Sequence, residues 1–435
     1  MATEDTWKRT ALALEGGGTR GFASLLMLRK LMEEIRKIEE SAENPLGITE
    51  IDWEPHYSSF GPVPDDIRAQ NDERNLGDIN SNDRRQKTLR ELQTYDGKYL
   101  PCHYFDYIGG TSTGGLGALM IGRLRMSVDE CIDRYPSMSK RIFQPRISLG
   151  GAWRSKYNSR GLEEEMKAIV DERLRREEGD AKFWRLESPD DLCKTALFSN
   201  IGSSDGVPYI FRSYANTGTI GANPHNPGPA HRCEIWQAGR ASSAAPGYFK
   251  KMHIDGQDYY DGGIGYNDPT YELFNDIQIH ARTQGADSNN TVLAILTLGT
   301  GLKTTKAKTS GAIAKFLLKE KHIRRIHRIV VLLERQVTNT YQAARLMRDR
   351  VEKEGFLYYK WDGGEFVGTL SLDSCDEEAF VSMEQNVDMY MSQSTTRQET
   401  ETHVERYHSK DIGAGNGNQL VRNQPYTLPW MRGPW

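Results

Sequence analysis

Twice in this chain a strand-like run breaks into a glycine-rich turn and restarts as a helix, and that repeated unit limits the fold more than any other feature. The first unit is the apolar run Thr10 to Leu14, closed by Glu15 and followed by Gly16-Gly17-Gly18-Thr19-Arg20-Gly21. A helical pattern, Phe22 to Ile38, comes next, with Leu25, Leu28, Leu31, Met32 and Ile35 along one face. The second unit runs from Tyr104 to Ile108 through Gly109-Gly110-Thr111-Ser112-Thr113-Gly114-Gly115 into the helix-compatible stretch Leu116 to Leu124. Helical patterns recur at Ser127 to Met138 and Arg160 to Arg176. Strand-like runs recur at Thr195 to Ser199, Tyr209 to Tyr214, Ile254 to Tyr260, Thr291 to Leu298 and Phe356 to Trp361. Strands that alternate with helices predict an α/β fold: three layers, with a mainly parallel central sheet flanked by helices.

A length of 435 residues suits one large α/β domain or two ordinary ones, with room for a buried site. Between Glu39 and Pro101 the composition turns to Asn, Asp, Arg, Pro and Gln without apolar periodicity, which predicts an irregular polar insertion. Residues 310–350 read as mostly helical. The sequence therefore divides into an α/β domain at 10–365, with its motif-bearing core at 12–301, and a polar C-terminal extension at 366–435 to which no fold is assigned.

A net charge of −4 with 27% charged and 37% hydrophobic residues is that of an ordinary globular chain, and it points to no nucleic-acid partner. The five cysteines are scattered and never spaced C-x-x-C, which speaks against a disulfide framework and a zinc site and for a reducing compartment. Acidic residues precede any apolar run at the N-terminus, and no stretch approaches the length of a spanning helix. The expectation is a cytoplasmic protein that at most visits membrane surfaces.

Gly110-Thr111-Ser112-Thr113-Gly114 fits G-x-S-x-G, the sharp turn that lifts a nucleophilic serine between a strand and a helix. The competing reading is a capping serine in a glycine-rich turn. The turn Gly16 to Gly21 offers unobstructed backbone N–H groups to an oxyanion or a phosphate. It also fits G-x-G-x-x-G, but no second strand ending in an acidic residue follows about 20 residues on, as a dinucleotide site needs. No Gly-Lys-Ser/Thr closes a P-loop. Asp261-Gly262-Gly263 ends a strand-like run and offers a carboxylate base, although D-G turns are common in their own right. The histidines placed to complete a triad after Ser112, namely His280, His322, His327, His403 and His408, lie in helical or polar stretches and read as solvated surface residues. A carboxylate of reference pKa about 3.9 is a weak base unless burial raises it.

In this order the three pieces resemble the patatin-like phospholipase family, including its calcium-independent phospholipase A branch. Trp236 to Phe249, with Arg240 inside it, and Leu298-Gly299-Thr300-Gly301 look like two further blocks of that family. The resemblance implies Ser112 as nucleophile and Asp261 as proton acceptor, set in the elbow glycines Gly110 and Gly114. It implies an oxyanion turn at Gly16, Gly17 and Gly18, with Arg20, Gly21, Arg240, Gly262 and Gly263 supporting the motifs. It implies no metal, no cofactor and no catalytic histidine. The activity implied is a lipid acyl hydrolase of phospholipase A or lysophospholipase type, acting through a Ser–Asp dyad and an acyl-enzyme. The alternatives are an acyltransferase or triacylglycerol lipase on the same dyad, or a regulated lipid-binding module. Expected partners are a phospholipid or other acyl lipid and an anionic membrane surface, met by the basic segment 303–328, with a homo-oligomer left open.

Overall fold

The computed structural model describes residues 8–41, 100–144, 155–173, 185–188, 192–202, 207–217, 226, 228–285, 291–301 and 340–393. Most of the expected insertion at 39–101, the basic segment 303–328, and His322, His327, His403 and His408 lie outside the described residues.

Five parallel strands form the centre of one sheet, in the order β3 (Lys194–Ile201), β2 (Tyr107–Thr111), β1 (Arg9–Leu14), β7 (Val292–Leu298) and β8 (Leu357–Trp361). Each central strand sends alternate side chains to two cores, as the two-residue period of a strand requires. Leu12, Leu14, Ile108, Leu197, Leu296 and Leu298 join one core, while Ala11, Ala13, Tyr107, Phe198 and Ile295 join the other. The first core is covered by α1 (Gly21–Ser41), α3 (Val128–Ile142) and α9 (Glu377–Met391), together with α4 (Ser159–Arg173) and α5 (Ile235–Ser242). The second is covered by α6 (Thr270–Thr283) and by α7, residues 340–354, through Leu273, Phe274, Ile277 and Met347. The three layers expected from the strand and helix alternation are present.

The remaining strands, β4 (Val207–Arg212), β5 (Met252–Ile254) and β6 (Gln257–Asp261), are antiparallel. Their register places the site. Residues 196–201 of β3 pair with β4 along one edge. The opposite edge of β3 is shared: β2 occupies it as far as Thr111 beside Phe198, and β6 takes over with Asp261 beside Ser199. Since β2 runs parallel to β3 and β6 antiparallel, these two strands point at each other, and their C-terminal ends meet head to head.

Several local expectations are corrected. The strand predicted at Tyr104 to Ile108 begins at Tyr107 and continues through both glycines to Thr111, after a single helical turn, Pro101–Tyr104, with proline in its first position. Ile254 to Tyr260 is a hairpin and not one strand: Asp255 (φ 49°) and Gly256 (φ 81°) make the two-residue turn between β5 and β6. The helix after the elbow is short, α2 (Thr113–Ala118), and widens into a π-turn at Leu119–Arg123. His280 is buried on α6, its Nδ1 2.6 Å from the Tyr107 hydroxyl, and burial drives its pKa down to about 4. The expected boundary at 365/366 falls inside α8 (Gly364–Thr369). Beyond it, Phe380, Met383 and Val387 of α9 belong to the first core, so that stretch is built into the domain.

Candidate active site

Ser112 follows β2 and precedes α2 with φ 54° and ψ −124°, a backbone region that side chains beyond glycine rarely enter. The strained geometry is held by its surroundings. Ser112 N–H donates to Ser242 Oγ (3.0 Å), and Ser242 Oγ–H in turn donates to the carbonyl of Phe198 (2.7 Å), the β3 residue at which the two abutting strands meet. The sharpness of the turn excludes a side chain at Gly114, where a Cβ would run into the carbonyl oxygens of Leu14 and Glu15. A glycine at that position lets the elbow pack directly on the end of β1.

Asp261 reaches the same point from the other direction. Ser112 Oγ donates to Asp261 Oδ2 at 2.7 Å, and Gly263 N–H donates to Oδ1 at 2.7 Å. The Asp261 main chain is fixed as well, its N–H on Ala244 O (3.2 Å) and its carbonyl taking Asn200 Nδ2 (2.8 Å). With only 4% of its surface exposed, the carboxyl is raised to about 6 by burial, against the Ser112 and Gly263 hydrogen bonds and the positive charge of Arg240. Arg240, buried on α5, has Nε 3.5 Å from Glu163 Oε1, and a terminal nitrogen donates to the carbonyl of Lys250.

The glycine turn lies beside this pair. Its carbonyls are tied back one by one: Gly16 O accepts from Thr300 Oγ1 (3.0 Å), Gly17 O from Arg20 Nε (3.3 Å) and Gly18 O from the Tyr135 hydroxyl (2.9 Å). Because N–H and C=O of one peptide point in opposite directions, pinning the carbonyls of Gly16 and Gly17 aims the amides of Gly17 and Gly18 away from those partners. Gly17 and Gly18 line the cavity that also contains Ser112 and Asp261. In the free protein the Gly17 N–H donates to Thr113 Oγ1 (3.2 Å). Gly16 departs from expectation: its N–H is spent on Asn267 O (3.0 Å), so it does not serve as an oxyanion donor. Arg20 is buried at 2% exposure, and burial lowers its guanidinium to about 10. Just upstream, Glu15 pairs with Lys360, whose Nζ lies 2.6 Å from Asp268 Oδ2, so one cation clamps the end of β1 to β8 and to the loop after Asp261.

The cavity holds about 740 Å³ of empty space including its open mouth. Leu116, Ile142, Phe143, Leu162, Phe249 and Ile264 make most of its wall apolar, as in sites that bury a hydrocarbon and keep a few convergent polar groups. Among the described residues no group of three His, Cys, Asp or Glu side chains is arranged to hold a metal ion. Sequence reasoning missed Ser242, Asn200, Tyr135 and Leu372, which support or wall the site. Ser242 lay within a recognised block, but the others carried no local signal.

Residues 87–274, which include both Ser112 and Asp261, match the patatin-like phospholipase family. That span is a patatin-like phospholipase domain. Calcium-independent phospholipase A2-gamma of Rattus norvegicus is 34% identical to it over 192 residues, 42% of this chain and 23% of that protein. Phospholipase A I of Arabidopsis thaliana is 26% identical over 271 residues, covering 51% of this chain and 20% of its own length. A cGAMP-activated phospholipase of Escherichia coli (strain TW11681) is 30% identical over 190 residues, 40% of this chain and 46% of that protein. The chain thus spans less than half the length of each of these relatives. β1 and the turn Gly16 to Gly21 precede the matched span, so the place of that turn beside Ser112 is read from the structure's own geometry.

Proposed function

We propose that this protein is a lipid acyl hydrolase of phospholipase A or lysophospholipase type, with Ser112 as nucleophile and Asp261 as general base. The observation that carries the reading is the 2.7 Å hydrogen bond from Ser112 Oγ to a buried carboxylate at the wall of an apolar cavity. A carboxyl raised to about 6 is still ionised at neutral pH, yet it is a better proton acceptor than an ordinary aspartate.

Ser112 Oγ attacks the ester carbonyl carbon and passes its proton to Asp261, and the carbonyl oxygen becomes an oxyanion facing the amides of Gly17 and Gly18. The oxyanion takes over the Gly17 N–H now given to Thr113. Collapse breaks the ester C–O bond, the departing alcohol takes the proton from Asp261, and the acyl group stays on Ser112. Water then repeats the sequence and frees the fatty acid. The named phospholipases similar to this chain support an acyl lipid as substrate. Contact with an anionic membrane through the basic segment 303–328 is part of the same proposal.

A fluorophosphonate probe should label the wild-type protein at Ser112, and Ser112→Ala should lose both labelling and release of fatty acid from phospholipid vesicles. Undiminished hydrolysis by Ser112→Ala would refute the assignment.

A further inference from the structure

Residues 370–375 connect α8 to α9 and cross the site on the side of the oxyanion turn. The Thr19 N–H donates to Leu372 O (2.9 Å) and Thr19 Oγ1 to Ser371 O (3.3 Å), so this segment lies directly on the glycine turn. Gly18 has φ 61°, and a Cβ there would strike the Leu372 main chain, so the two backbones are in contact. Leu372 itself is part of the cavity wall.

One residue on, Asp373 reaches a separate stretch of chain. Its carboxylate accepts from Lys156 Nζ and from the Tyr157 hydroxyl, and from Ser371 Oγ at 2.5 Å. Lys156 and Tyr157 belong to a stretch that runs along the wall 247–248: Lys156 N–H donates to Gly247 O and Tyr157 N–H to Tyr248 O, both at 2.9 Å. The Tyr157 ring packs against Phe143, Tyr248 and Phe249, all three of which line the cavity. A single carboxylate therefore ties the cover of the glycine turn to the aromatic part of the cavity wall. Burial on its own would raise Asp373, but the hydrogen bonds from Lys156, Ser371 and Tyr157 outweigh it and hold the carboxyl below its usual range.

We propose that residues 370–375 form a locked strap over the acyl cavity, and that Asp373, by its tie to Lys156 and Tyr157, determines which acyl chains are admitted. This rests on the hydrolase reading above, and deepens it by naming what selects the substrate. Closed, the strap holds Leu372 in the cavity wall. Unlocked, Leu372 moves off the wall, entry quickens and bulkier chains are accepted. Lys156 is half exposed while Asp373 is largely covered, so the lock is a pair of the kind that biases an equilibrium by about threefold to fivefold and opens readily.

The test uses the full chain and the variants Asp373→Asn, Lys156→Gln and the double variant. Two readouts are taken: the ratio of kcat/KM for a linear over a branched acyl ester, and the association rate of a pyrene-labelled fatty acid, which needs no catalysis. Each single variant should lower the ratio, by up to about threefold to fivefold, and raise the association rate, and the double variant should add nothing beyond Asp373→Asn, which already removes the carboxylate that Lys156 and Tyr157 share. Both readouts unchanged in folded variants, or effects that simply add, overturn the strap. If no protein hydrolyses an ester but association still quickens in the variants, the strap stands and the hydrolase reading falls. Hydrolysis with both readouts indifferent to the variants has the opposite meaning.

Discussion

Replacing Asp261 with asparagine should separate what this carboxylate does in the proposed reaction from what it costs the fold. The carboxyl rises from 3.8 to about 6 on folding, and at about 1.4 kcal/mol per pH unit this amounts to about 3 kcal/mol of lost stability once the group is ionised. The direction follows from proton binding. The folded chain holds the proton more tightly than the unfolded chain, so the contribution favours folding while Asp261 is protonated and is lost as pH climbs from 3.8 through about 6. Asparagine cannot ionise, so the stability of wild type minus that of Asp261→Asn should fall by about 2 kcal/mol between pH 4.5 and 7.5. Glu15 and Glu272, both raised to about 8 by burial, titrate alike in the two proteins and cancel. The absolute difference also contains the rewired hydrogen bonds of the amide, so the pH slope is the quantity to read, from urea unfolding midpoints at steps of half a pH unit. A flat difference across this range would refute the claim that Asp261 is desolvated in the fold. Activity should run the other way: kcat/KM of the wild type should drop about tenfold per unit below pH 6.

Ser112→Gly and Ser112→Ala both remove the hydroxyl, but only glycine accepts φ 54° without strain, so the glycine variant should be more stable by about 1 kcal/mol in thermal or urea unfolding. Equal stabilities would mean that the elbow is not strained. Arg20→Met removes the side-chain donor to the Gly17 carbonyl and leaves the Arg20 main-chain N–H on it, and should lower kcat by about tenfold with little change in KM. A change confined to KM would show that Arg20 does not orient the oxyanion amides.

The two glycine turns were legible in the sequence because their requirement is local. Gly114 packs on main-chain carbonyls of β1, a contact that leaves its mark on the residue itself. The pairing of Ser112 with Asp261 was read from a resemblance, and no local pattern could have supplied it, since the two are brought together by strands whose ladders are joined only through β3. The β5–β6 hairpin was missed although Asp255-Gly256 announces a tight turn, because the apolar residues on either side of it read as one run. Gly16 was grouped with its neighbours by composition, whereas the direction of its amide depends on Asn267, more than 250 positions away. Leu372 and Asp373 carry no motif, and their place over the site follows from how α8 and α9 dock on the domain.

Two strands laid end to end on one rail turn the gap between Ser112 and Asp261 into a quantity measured in residues of β3. Slipping either strand by one position would change that gap by about 3.3 Å and turn its side chains to the opposite face. Outside β3, which includes Asn200, and α5, which carries Ser242, the long stretch between residues 112 and 261 is under no such constraint. Its loops can lengthen, shrink or be exchanged to suit new substrates while the reacting atoms keep their separation.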